Sequence, residues 1–138
     1  MSESETKSQL APRKIGAPTV NVESQPFWDA AAEGRFLIKR CTACGKAHWY
    51  PRLNCPYCFS DETVWEASPG EGAIYTFSVM RRTEGASFAI GYVTLDEGPA
   101  MLTNFVDCDL AALAIGQRVK LRFQDTEGGP PVPVFAPA

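Results

Sequence analysis

Residues 41–58 read CTACGKAHWYPRLNCPYC, with two C-x-x-C pairs, Cys41/Cys44 and Cys55/Cys58, separated by ten residues. Each pair sets two sulfurs on one tight turn, and two such turns complete a tetrahedron of thiolates. That donor set calls for one soft tetrahedral ion, and Zn²⁺ is favoured over iron because no redox-partner motif accompanies it. Four sulfurs close the coordination sphere and leave no position for an activated water, so the metal is expected to be structural. Gly45 follows the first pair and lets the chain wrap around the metal, whereas the second pair, CPYCF, lacks that glycine.

Working outward, RFLIKR (residues 35–40) reads as a strand entering the first pair, and HWYPR (48–52) as its returning partner. Residues 35–66 are thus expected to form a zinc ribbon. Upstream, SQPFWDAAAEG (24–34) has a capping Ser24, an early Pro26, an alanine run and a terminal Gly34, which delimit a short helix. Residues 1–23 are mostly polar, with almost no large apolar side chains, and are expected to be a flexible tail. No run of apolar residues is long enough to span a membrane, and the first residues lack a secretory pattern. A cytoplasmic location follows, where paired cysteines hold metal rather than form disulfides.

Downstream of the SPGEG linker, short strands alternate with turns at the spacing of a small barrel. They are expected at 73–80, 87–95, 100–106, 117–123 and 132–135. RVKLRF (118–123) alternates polar and apolar without a break, so one face is buried. DLAALAI (109–115), ended by Gly116, is expected to make a helical turn between the third and fourth strands. Five strands with a helical insert at that place make an OB-fold over 67–138. The fold class is mostly β, with a helix, a ribbon and a barrel in that order.

The formal charge is −3, from 13 basic and 16 acidic residues. Residues 35–60 carry Arg35, Lys39, Arg40, Lys46 and Arg52 with no acid, which partly offsets the two net negative charges of a four-thiolate Zn²⁺ centre. From Pro69 onward five basic residues face eight acidic ones, a poor funnel for a phosphate backbone. Nucleic acid is accordingly an unlikely partner, although OB-folds and zinc ribbons bind it elsewhere.

Outside the metal pairs the chemistry is sparse. Cys108 reads as a partly buried, inert thiol, because a nucleophile needs a base within reach and the single histidine, His48, sits beside the metal turns. His48 reads as a packing or surface residue of the ribbon. Phe27, Trp28, Phe36, Trp49 and Tyr50 are dense for so short a stretch; most are expected to form the small core that joins helix to ribbon, while the surface around Phe27, Trp28, Trp49 and Tyr50 is expected to stay partly exposed and to take a partner protein. Arg81 and Arg82 end the first barrel strand and could hold a phosphate, such as that of coenzyme A.

Read in order, PFWDAAAEGRFLIKRCTACGK (26–46), the second cysteine pair, GAIYTFSVMRR (72–82), YVTLDEGPAMLTNFVDCD (92–109) and IGQRVKLRF (115–123) resemble one family. It is the acyl-CoA-associated family that joins a rubredoxin-like zinc ribbon to an OB-fold, domain of unknown function thirty-five, and the resemblance runs from about Pro26 to Pro137. It implies that Cys41, Cys44, Cys55 and Cys58 are the ligands of a structural zinc. It also implies a non-catalytic subunit docked on a thiolase-fold enzyme that handles acyl-CoA thioesters, with MaoC-like hydratase or thiolase-fold aldolase complexes as alternatives. No motif of the resemblance marks residues that contact coenzyme A.

Overall fold

The structure, a computed structural model, describes residues 15–138. Part of the expected tail, residues 1–14, lies outside the described residues. In residues 15–23, Gly16 bridges to Glu127 and Val20 packs on the core.

Helix α1 spans Gln25–Ala32. Ser24 sits at its N-cap but does not cap it with its side chain; its hydroxyl and amide instead close a turn with Asn21. Pro26 fits the first turn, where its missing N–H has no partner to lose. At the other end Gly34 takes φ 79°, its N–H bonds Ala31 O, and Arg35 N–H bonds Ala30 O. This pair of bonds ties off the last carbonyls.

The ribbon has three strands, β1 (Leu37–Cys41), β2 (Ala47–His48) and β3 (Thr63–Ala67), in the order β2-β1-β3. The expected return strand 48–52 stops at His48, because Trp49 and Tyr50 turn their rings onto Phe27 and Pro51 has no N–H for a ladder. The opposite edge of β1 pairs with β3, from Leu37↔Ala67 to Cys41↔Thr63.

Five further strands, β4 (Glu71–Met80), β5 (Phe88–Leu95), β6 (Ala100–Phe105), β7 (Arg118–Gln124) and β8 (Val132–Pro137), close a barrel in the order β4-β5-β6-β8-β7. Only β6 and β8 run parallel. Each strand lies within two residues of its expected bounds. The helical insert is a single 3₁₀ turn, Leu110–Ala112, capped by Asp109. Strand β4 is long enough to serve both neighbours, pairing with β7 at Glu71–Ala73 and with β5 up to Met80. A bulge between Ile74 and Thr76 bends it between the two. One apolar cluster runs from Phe27, Phe36 and Ile38 through Ile74, Val93 and Met101 to Val119 and Phe135. No described helix is long and apolar enough to cross a membrane.

Candidate metal centre

The four cysteines expected to bind metal come together. Their Sγ atoms all lie within 4.8 Å of one another, and none is in a disulfide. The Cys41–Cys58 and Cys44–Cys55 separations are 3.6 Å and 3.7 Å. A regular tetrahedron with metal–sulfur bonds of about 2.3 Å has edges of about 3.8 Å, so the cage has the size for Zn²⁺.

The two turns that supply these sulfurs are built alike. In the first, Gly45 N–H bonds Cys41 O, Cys41 N–H bonds Lys46 O, and Cys44 N–H points at Cys41 Sγ. In the second, Phe59 N–H bonds Cys55 O, Cys55 N–H bonds Ser60 O, and Tyr57 N–H points at Cys55 Sγ. Phe59 therefore takes the left-handed place of Gly45, with φ 66° against 82°.

The electrostatics of the cage ask for a cation. Burial pushes the Cys55 thiol up, but N–H donors from Cys58 and Tyr57 and the sulfurs of Cys44 and Cys58 together bring it down to about 7. The Ser60 N–H pulls Cys58 down, but burial and the neighbouring sulfurs override it and push that thiol to about 12. Four thiolates cannot share this space without a positive charge among them.

Arg40 was not singled out by the sequence, yet it locks the site in place. Its guanidinium holds Glu66 on β3 at 2.9 Å and donates to Gly45 O at 2.9 Å, tying the first turn to the sheet. Lys39 is buried on the same strand, with Nζ 3.2 Å from Thr63 Oγ1 and over the Trp65 ring. Burial lowers its pKa, and Glu23 opposes the shift.

The aromatic rings form the core expected between helix and ribbon, and the expected exposure of Phe27 and Trp28 needs correction. Phe27 is 0% and Trp28 5% exposed, and only Trp49 and Tyr50 are half-buried. The rings pack edge to face on Phe27, and Trp28 Nε1–H donates to Tyr50 Oη at 3.0 Å. They are core because β1 and β2 bring Phe36, Ile38 and Ala47 against α1, closing a core that helix and ribbon share. In and beside the metal turns it is instead Leu53, Tyr57 and Phe59 that are exposed, the last at 78%.

His48 is 2% exposed, and neither ring nitrogen makes a well-formed hydrogen bond, with the Arg52 backbone as its polar neighbour. Burial lowers its pKa, with the charges of Lys39 and Arg52 adding and the Arg52 backbone opposing. Arg81 and Arg82 are exposed in the loop after β4, where Arg82 N–H donates to Ser87 Oγ. Cys108 is half-buried against the core.

A family model described as the ChsH2 rubredoxin-like zinc ribbon domain matches residues 28–64, and one described as the ChsH2 C-terminal OB-fold domain matches 65–124. The chain belongs to the ChsH2 family. The two ChsH2 domain matches thus cover the ribbon with its four cysteines and most of the barrel. Among curated relatives, a probable enoyl-CoA hydratase alpha subunit of Thermomonospora curvata is 30% identical over 125 residues, 88% of this chain. The chain spans 39% of that relative's length. A DUF35 domain-containing scaffold protein of Methanothermobacter thermautotrophicus is 29% identical over 62% of this chain and 68% of its own length. Among solved structures, a chain of an Ltp2-ChsH2(DUF35) aldolase matches with a TM-score of 0.76 and 27% identity, over 87% of this chain and 98% of that one. A DUF35 protein of unknown function from Sulfolobus solfataricus, 10% identical with a TM-score of 0.61 over 86% of this chain and 87% of that one, shares the fold.

Proposed function

We propose that this chain is the non-catalytic, zinc-bearing subunit of a thiolase-like enzyme complex acting on acyl-CoA thioesters in the cytoplasm. The observation that carries the reading is the closed cage of Cys41, Cys44, Cys55 and Cys58, which uses every position of a tetrahedral ion. Such a metal organises the ribbon and has no room to activate water or a carbonyl. The chain's one histidine is buried in the ribbon and offers no base to Cys108. The names carried by relatives, a scaffold protein, a hydratase subunit and an aldolase complex, support an accessory role beside an acyl-CoA enzyme.

Docking on the thiolase-fold partner is assigned to the ribbon. Phe27 and Trp28 are already covered by their own chain, so the anchors move to the exposed Leu53, Tyr57 and Phe59, together with the half-buried Trp49 and Tyr50. Arg81 and Arg82 are the residues assigned to a coenzyme A phosphate, as an exposed pair of guanidinium forks suits that group. The hydratase name of the Thermomonospora relative favours a MaoC-like hydratase as the second choice of partner. A nucleic-acid role is disfavoured by the acidic barrel.

The purified chain alone should turn over no acyl-CoA thioester, by hydrolysis or thiolysis. Activity that survives further purification and disappears in Cys108→Ser would overturn the non-catalytic assignment.

A further inference from the structure

The four sulfurs of the cage are not equivalent. Cys41 and Cys55, the first of each pair, are 0% exposed, whereas Cys44 and Cys58, the second of each pair, are exposed. The cause is local. Cys41 ends β1 inside the sheet, and the Cys41 and Cys55 backbones are tied on both sides, N–H to Lys46 O and Ser60 O, C=O to the Gly45 and Phe59 N–H groups. Each turn then closes with its second cysteine on the solvent side.

The short sulfur contacts cross from one turn to the other. The exposed Cys58 lies 3.6 Å from the buried Cys41, and the exposed Cys44 lies 3.7 Å from the buried Cys55. Each sulfur that solvent reaches therefore touches one that it does not. Positive charge stands over both turns. Arg40 donates to Gly45 O at 2.9 Å, and Lys46 Nζ, carried by the first turn, lies 5.0 Å from the centre of the Tyr57 ring on the second. Exposed thiolates in electropositive surroundings are the ones that oxidants attack.

We propose that Cys44 and Cys58 form a peroxide-sensitive modification site, in which each exposed thiolate is oxidised and then captured by the buried sulfur of the opposite turn. In the first step the exposed thiolate attacks one oxygen of hydrogen peroxide, the O–O bond breaks and hydroxide leaves, giving a sulfenic acid. The buried thiolate then attacks that sulfur, forms the S–S bond and expels a second hydroxide. Two thiolates have lost two electrons, and the peroxide has taken them up. The links expected are Cys41–Cys58 and Cys44–Cys55, which join the turns, and not Cys41–Cys44 or Cys55–Cys58 within them. One link withdraws two of the four ligands, and the ribbon gives up its zinc with them. The inference concerns the chain by itself and does not rest on the catalytic-partner reading. Under that reading, the same reaction dismantles the turn that carries Tyr57 and Phe59.

The test exposes the full-length, zinc-loaded chain to a small excess of hydrogen peroxide and follows zinc release with a colorimetric chelator. The remaining thiols are then blocked, and the links are mapped by mass spectrometry after trypsin. Cleavage after Arg40, Lys46, Arg52 and Arg81 places Cys41 and Cys44 in peptide 41–46, and Cys55 and Cys58 in peptide 53–81. The expected result is two thiols lost for each zinc released, with peptide 41–46 joined to peptide 53–81 inside a monomeric chain and the link reversed by dithiothreitol. Cys108→Ser, outside the cage, should release zinc at the parent's rate. Links confined to either peptide would overturn the proposal, because each C-x-x-C pair would then be its own couple. Links between chains would overturn it as well. So would zinc and thiols retained after prolonged exposure to a large excess of peroxide, or a several-fold slower release in Cys108→Ser, which would give the reaction to Cys108.

Discussion

Phe59 occupies in the second metal turn the place that Gly45 occupies in the first, with the same N–H to cysteine carbonyl bond and the same left-handed backbone. A Cβ carries a steric cost in that conformation of about 1–2 kcal/mol, which glycine avoids. Phe59 is too exposed to recover it by burial. Phe59→Gly should therefore stabilise the zinc-loaded chain by about 0.5–1 kcal/mol, and Gly45→Ala should destabilise it by about 1 kcal/mol. Urea denaturation of both variants checks the signs.

Trp28 is a core residue, and its replacement should act on folding. Trp28→Ala removes the ring packed on Phe27 and the bond to Tyr50 Oη, with an expected loss of about 3–5 kcal/mol. Trp28→Phe should cost less, mainly the hydrogen bond. Chemical denaturation separates the two. An alanine variant as stable as the parent would contradict the burial described above.

Gly91 marks the tightest backbone approach in the barrel. A Cβ there would lie 2.1 Å from Thr76 O and 2.7 Å from Phe77 Cα, both backbone atoms of β4. Gly91→Ala must push β4 and β5 apart and should cost about 3 kcal/mol or more. Gly85→Ala, where a Cβ meets nothing within 4 Å but φ is 80°, should cost about 1 kcal/mol.

The buried His48 gives a pH dependence of definite sign. Its folded pKa is depressed, so above the unfolded value of about 6.5 both states hold it neutral and stability does not change on its account. Below that, the unfolded chain takes up a proton that the folded chain resists, and stability falls with pH. His48→Leu should flatten this part of the profile under saturating zinc. At pH 8 it should be neutral or stabilising by about 1 kcal/mol, since it removes two buried nitrogens that make no well-formed hydrogen bond. An unchanged profile in the variant would show that His48 is not the titrating group.

Local patterns made most of this architecture legible. The C-x-x-C pairs name their own ligands because the turn geometry is local, and RVKLRF alternates because β7 has one wet face. Strand β3 escaped notice: TVWEA is short, and it is specified by long-range pairing of Arg40 with Val64 and by the Arg40–Glu66 ion pair. The density of aromatic rings announced a core between helix and ribbon, but which of them it covers completely, Phe27 and Trp28, was hidden for the same reason, since it depends on the ribbon folding back over the helix. Neither the left-handed Phe59 nor the reach of Arg40 to Gly45 O leaves a sequence signal, as both follow from how the chain closes around the metal.

The most direct test of the accessory-subunit reading is co-expression with a candidate thiolase-fold partner, followed by size exclusion and metal analysis of the shared peak. The account predicts co-elution of one small chain per catalytic chain, with about one zinc per small chain. It also predicts that Phe59→Gly, though more stable, weakens the association by about 2 kcal/mol because the exposed anchor is gone. Elution of the two proteins apart at micromolar concentration, or iron in place of zinc, would contradict it.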